Sequence, residues 1–111
     1  MQIEYRKNKL KKQVSSPSEI KRAFGVNAKK VSTRLDEITS SPNLAVLMQI
    51  PAANCHQLTG NRKSEWGLDI SKNHRIIFEI ADNPVPLVAD GSINTLLVTS
   101  ICILEIGEDY H

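Results

Sequence analysis

An α+β fold follows from the point at which the hydrophobic period changes. Before Pro51, apolar residues recur every three or four positions, as on a helix with one buried stripe. After Pro51 they alternate with polar residues, as on a strand with one buried face. Turn residues at 61–64 and 71–74 separate the alternating runs and predict an antiparallel meander. The expectation is a single domain over residues 1–111, with N-terminal helices packed on a small twisted antiparallel sheet.

Ile3-Glu4-Tyr5 alternates and is expected to form a first strand, while 8–15 is basic and compatible with either period. Ser16-Pro17-Ser18-Glu19 reads as a helix start, with Ser as the cap, Pro in the first turn and Glu three residues after the cap. Ile20, Ala23 and Phe24 form its apolar stripe, and Gly25 supplies the left-handed stop. A second helix is expected over 27–39, where Ala28, Val31, Leu35 and Ile38 make the buried stripe and Lys29, Lys30 and Arg34 face out. A shorter third helix is expected from Ser41-Pro42 to Met48.

In the second half, Trp66, Leu68 and Ile70 alternate with Glu65, Gly67 and Asp69, and Ile76, Phe78 and Ile80 with Arg75, Ile77 and Glu79. Residues 83–94, with Pro84, Pro86 and Asp90-Gly91, are a polar excursion. Thr95 to Ile106 is apolar on both faces, as in a strand covered on both sides. At about 3.3 Å per residue it would span on the order of 36 Å, long enough that a bend or bulge is expected.

Composition bounds the function. The chain is 41% hydrophobic and 23% charged, ordinary for a soluble domain, and no run reaches the roughly 20 apolar residues that span a bilayer. Met1-Gln2-Ile3-Glu4 is not a secretory signal, so a cytoplasmic protein without a membrane role is expected. Cys55 and Cys102 sit in apolar contexts and read as buried reduced thiols rather than a disulfide framework. Neither a zinc-ligand spacing nor a phosphate-cradling glycine loop is present, and no cofactor is expected. The net charge of +2 hides a division: residues 1–35 hold ten Lys/Arg and two acids, residues 36–111 four and ten. Such asymmetry points to a polyanion-facing N-terminal surface, although a solvated helix face is rich in lysine too.

The candidate chemistry is dispersed. Asp109-Tyr110-His111 ends the chain with three side chains able to hold or move protons, just after its longest apolar run. His56 precedes a turn containing Arg62 and Lys63, and Arg75 opens a strand on the face opposite Ile76 and Phe78. A meander can gather His56, Arg75 and the C-terminal trio on one face. Histidine transfers protons near neutral pH, and arginine holds a phosphate through two parallel hydrogen bonds. Those groups suffice to cleave RNA by attack of a ribose 2′-hydroxyl on the adjacent phosphorus, without metal. Each has a plainer alternative: His56 could cap a strand, Arg75 could pair with Glu79 or Asp69, and His74 is a turn residue.

The stretch from His56 through Leu58, Thr59, Gly60, Asn61, Arg62 and Lys63 to Trp66, then Arg75-Ile76-Ile77-Phe78, then Asp109-Tyr110-His111, resembles the HigB branch of the RelE/ParE toxin superfamily. Ile20 to Gly25, the Lys29-Lys30 to Leu35 helix and the 84–93 excursion fit the same pattern, so the resemblance covers nearly the whole chain. It implies a RelE-like fold and a toxin of a type II toxin–antitoxin pair that cuts mRNA in the ribosome. It also implies that His56 and His111 move protons, that Asp109 and Tyr110 support them, and that Arg75 contacts the phosphate. Arg62 and Lys63 would meet RNA in the turn, and Lys9, Lys11, Lys12, Lys29, Lys30 and Arg34 would grip ribosomal RNA phosphates. The implied partners are the 70S ribosome with its mRNA and a HigA-like helix-turn-helix antitoxin, through which the complex reaches operator DNA. Thr59 stands where the family often has Lys, which removes a cation near the site. The superfamily also contains gyrase-directed, ParE-like toxins, and a catalytically weak member that only binds a partner is a third possibility.

Overall fold

The computed structural model describes the backbone of residues 1–109 and side chains through Gly107. The strand β1 (Gln2–Tyr5) is followed by helices α1 (Asn8–Gln13), α2 (Pro17–Phe24), α3 (Ala28–Ser40) and α4 (Leu44–Leu47). Strands β2 (His56–Gln57), β3 (Glu65–Asp69), β4 (His74–Ile80) and β5 (Ser100–Asp109) complete the chain, with short 3-10 turns at Gly25–Asn27, Pro51–Ala53, Gly60–Arg62 and Thr95–Leu97. Among the described residues, no helix is long and apolar enough to cross a membrane.

Helix α2 starts and stops where its sequence says. The Ser16 hydroxyl accepts from the Glu19 amide at 3.2 Å, Pro17 occupies the first turn, and Gly25 breaks the helix at φ +53°. Basic 8–13 resolves as helix, burying Leu10 alone. The third expected helix shrinks to one turn. Ser41 instead closes α3, its hydroxyl donating to the Glu37 carbonyl at 2.7 Å, and Asn43 caps the Val46 amide at 3.0 Å.

The five described strands form one sheet in the order β1-β5-β4-β3-β2. Strands β2 to β5 are antiparallel neighbours as expected, but β1 lies parallel to β5, with Ile3 opposite Ile101. The Met1 amino group donates to the carbonyls of Ile38, Thr39 and Ser41, fastening β1 to the end of α3.

The apolar run from Thr95 is not one strand. Its first three residues form a 3-10 turn with Leu96 and Leu97 exposed, and β5 begins only at Ser100. Against β4 its register shifts twice, between Arg75 and Ile76 and between Ile77 and Phe78. These are the irregularities expected of so long a strand, and Gly107 at φ +86° lies at one of them.

The helices cover one face of the sheet. The core between them holds Leu10, Ile20, Val31, Ile38, Trp66, Leu68, Ile76, Phe78, Ile101 and Ile103. Trp66 and Phe78 stack with ring centres 6.2 Å apart and planes 19° from parallel. On the other face a smaller apolar cluster of Leu58, Ile77 and Leu104 is flanked by partly buried Cys102.

Candidate active site

The period of two decides which side chains leave the helical layer. On β3 these are Glu65, Gly67 and Asp69, and on β4 Arg75, Ile77 and Glu79. His56 is paired with Gly67, and Arg75 with Asp69 at the far end of β3. A methyl group built on Gly67 would stand 3.8 Å from His56 Cε1, 3.6 Å from Arg75 Cδ and 3.5 Å from Leu58 Cδ2. His56 and Arg75 therefore converge over bare backbone, and the missing side chain leaves room there.

The local fold also decides which ring nitrogen of His56 is available. Its Nδ1 lies 2.7 Å from the Asn54 carbonyl oxygen. A carbonyl can only accept, so Nδ1 carries the proton and the neutral ring keeps its lone pair on Nε2. That is the arrangement of a proton acceptor. Asn54 itself takes a left-handed conformation, φ 45° and ψ 50°, which asparagine adopts more readily than most residues. Its side-chain amide donates to Asp69 Oδ2 at 3.2 Å.

Among the expected cations, Arg34 is a correction. It is only 3% exposed, and its guanidinium donates to the Asp69 carbonyl at 2.6 Å, the Ala52 carbonyl at 2.8 Å and Glu37 Oε1 at 2.9 Å. Val31, Arg34 and Ile38 are the buried positions of α3, spaced three and four apart, so Arg34 lies on the inward stripe. It braces the protein and has no surface to offer a phosphate. Lys9, Lys11 and Lys12 on α1 and Lys29 and Lys30 on α3 are exposed, in the helical layer on the side of the sheet away from His56 and Arg75.

Arg62 is half-buried and gives two hydrogen bonds to Glu65 Oε1, at 3.0 and 2.7 Å, while Lys63 beside it is exposed. Thr59, also exposed, leads into the Gly60–Arg62 turn. His74 faces the helical side, where its Nδ1 meets the Ser71 hydroxyl at 2.9 Å. It belongs to a groove of about 350 Å³ between α1, α2 and the end of β5, with Lys7, Lys9, Phe24 and Glu105 also in its walls. Of the C-terminal trio, Asp109 is described only as the last residue of β5, paired with His74; Tyr110 and His111 lie outside the described residues.

Neither a protein-family model nor a curated protein matches the sequence. Among solved structures, a YoeB/ParE toxin from Agrobacterium tumefaciens superposes with a TM-score of 0.52, covering 99% of this chain and 100% of that one at 11% identity. The two chains share a fold. At that identity the likeness carries the architecture and not the roles of single residues, so the site rests on the geometry above.

Three contributors escaped the sequence reading. Gly67 had a signal, since an isolated glycine within a strand marks a close approach. Asn54 had none, because its contact joins segments 15 residues apart, and Asp69 was expected only as a partner for Arg75.

Proposed function

We propose that the protein is the toxin of a toxin–antitoxin pair and cuts mRNA on the ribosome. The convergence of His56 and Arg75 over Gly67 is the observation that carries this reading, and the fold shared with a named toxin supports it. His56 Nε2 takes the proton of a ribose 2′-hydroxyl, and the oxygen attacks the adjacent phosphorus. The bond to the 5′-oxygen breaks, leaving a 2′,3′-cyclic phosphate and a 5′-hydroxyl. Arg75 donates to the non-bridging oxygens and offsets the charge that builds there. The proton for the 5′-oxygen comes from the group Asp109, Tyr110 and His111. The trio is offered because the end of β5 runs beside the start of β4, its backbone pairing Asp109 with His74.

Lys63 and Arg62 meet the mRNA beside β2, and the lysines of α1 and α3 attract ribosomal RNA. Such contacts are independent of sequence and weaken with salt. The partner that silences the toxin is a HigA-like helix-turn-helix antitoxin, through which the pair reaches operator DNA.

Primer extension on cellular mRNA after induction tests the proposal. The wild type should produce new 5′ ends within translated codons, and none when initiation is blocked. His56→Ala and Arg75→Ala should each abolish the cuts and the growth arrest while the folded protein still binds its antitoxin. Undiminished cuts in His56→Ala would overturn the assignment. Growth arrest with intact mRNA and a DNA-damage response would favour the gyrase-directed alternative.

A further inference from the structure

We infer that Asn54 and Arg34 are positioning residues that hold the His56 imidazole with its proton on Nδ1 and its lone pair on Nε2. The inference rests on the ribonuclease reading and deepens it. One planar guanidinium, buried at Arg34, donates to the carbonyls of Ala52 at 2.8 Å and Asp69 at 2.6 Å. The rigid fork fixes the distance between the Pro51–Ala53 turn and the end of β3.

Asn54 follows that turn in the left-handed conformation, and its side chain reaches the same Asp69 through Oδ2 at 3.2 Å. Asp69 is thus held twice, by its backbone from below and by its carboxylate from the side. With the turn and the strand both anchored, the Asn54 carbonyl is left pointing at His56 Nδ1, 2.7 Å away. A loop free to move would let the ring rotate or exchange tautomers. The lone pair would then spend part of its time on the nitrogen that faces away from substrate, and the base would be lost for that time.

Two substitutions separate this role from general support. Asn54→Gly keeps a residue at ease at φ 45° and removes the bond to Asp69. Arg34→Lys keeps the charge and removes the fork. Nitrogen-15 NMR of the histidine rings reads the tautomer directly, and single-turnover cleavage of ribosome-bound mRNA reads the rate. In the wild type, His56 Nδ1 should show the shift of a protonated ring nitrogen and Nε2 that of an unprotonated one. In folded Asn54→Gly the two shifts should move toward each other. The cleavage rate should fall by about 10²-fold, the cost of a displaced catalytic group, with the mRNA concentration for half-maximal rate unchanged. Arg34→Lys should act in the same direction if it folds; Asn54→Gly decides the matter if it does not. Wild-type shifts and rate in Asn54→Gly would overturn the positioning role while leaving the ribonuclease reading intact. Absence of cleavage by the wild type would sink the ribonuclease reading, full cleavage by His56→Ala would remove His56 as its base, and in either case the NMR arm would still decide what holds the ring.

Discussion

Replacing Arg34 by methionine should unfold the protein more readily than any single change among its surface lysines. Methionine keeps the unbranched stem and a high helix propensity, so what is lost is the guanidinium and its three hydrogen bonds. Two backbone carbonyls, at Ala52 and Asp69, lose their charged donor, and the Glu37 carboxylate loses its partner. Hydrogen bonds to charged groups contribute about 1.5–3 kcal/mol each. The Glu37 share is small because that side chain keeps 22% exposure and is rehydrated when the pair breaks. The sum expected is about 3–5 kcal/mol, the cost of stripping one partner from a buried ionic cluster. A domain of this size has roughly 5–15 kcal/mol in all. Urea unfolding followed by Trp66 fluorescence should show the midpoint lowered by roughly 2 M, for slopes of about 1–3 kcal/mol per M. Lys30→Met, at an exposed position of the same helix, should change stability by less than about 0.5 kcal/mol. If Arg34→Met stayed within about 1 kcal/mol of the wild type yet lost affinity for RNA, the brace would be the wrong account and the surface expectation the right one.

Gly67→Ala should fold normally, since its methyl group meets neighbours at 3.5–3.8 Å, ordinary contact distances. Gly67→Leu should fill the space between His56 and Arg75 and abolish cleavage; full activity in that variant would place the reaction elsewhere. Burial pushes the Cys55 thiol from 9.0 up to about 12. The folded state therefore keeps its proton where the unfolded state gives it up, and the stability this represents is present below pH 9 and lost between pH 9 and 12. Urea midpoints from pH 8 to 11 should fall more steeply for the wild type than for Cys55→Ala, and parallel curves would refute the assignment. Removing Lys29 and Lys30 together should flatten the dependence of log affinity for the ribosome on log salt concentration by about 1 to 2. An unchanged slope would mean that the α3 lysines touch no phosphate.

The sequence was readable wherever structure is local. Ser16, Pro17, Glu19 and Gly25 delimit α2 because cap and stop chemistry acts within one turn. The alternation in β3 and β4 put Arg75 opposite Ile76 and Phe78, and on that face it and His56 both border the space over Gly67. Reading failed where a residue pattern has no phase or a partner lies far along the chain. From Thr95 to Ile106 both faces are apolar, so the pattern could not say where the strand begins or where its register slips. The parallel pairing of β1 with β5 joins residues about a hundred positions apart, beyond any local signal. Arg34 was misread for a different reason. Its charge outweighed its spacing, although three residues after Val31 and four before Ile38 is an inward position on any helix. Of the candidate site, residue types identified His56 and Arg75, but the contact that sets the imidazole is a backbone carbonyl, which every residue has and no sequence pattern marks.

The division of the sheet into a covered and an open face explains how so small a chain can hold the proposed pair, His56 and Arg75, in place. Strands β3 and β4 bury Trp66, Leu68, Ile76 and Phe78 against the helices, and that packing fixes their backbones. Side chains leaving the opposite face inherit the rigidity without taking part in the core. The same face carries its own apolar cluster, in which Leu58 packs with Ile77 and Leu104 directly beside the space over Gly67. Arg75 borders the same space, and a charge next to such a cluster is poorly screened by water. The lysines of α1 and α3 sit on the other layer, where water screens them and where a broad, salt-sensitive attraction is all they can provide. In the proposed reaction, catalytic precision and nonspecific affinity fall on opposite sides of one sheet. A change in the lysines should therefore alter how much ribosome is occupied, and a change around Gly67 how fast the bound mRNA is cut.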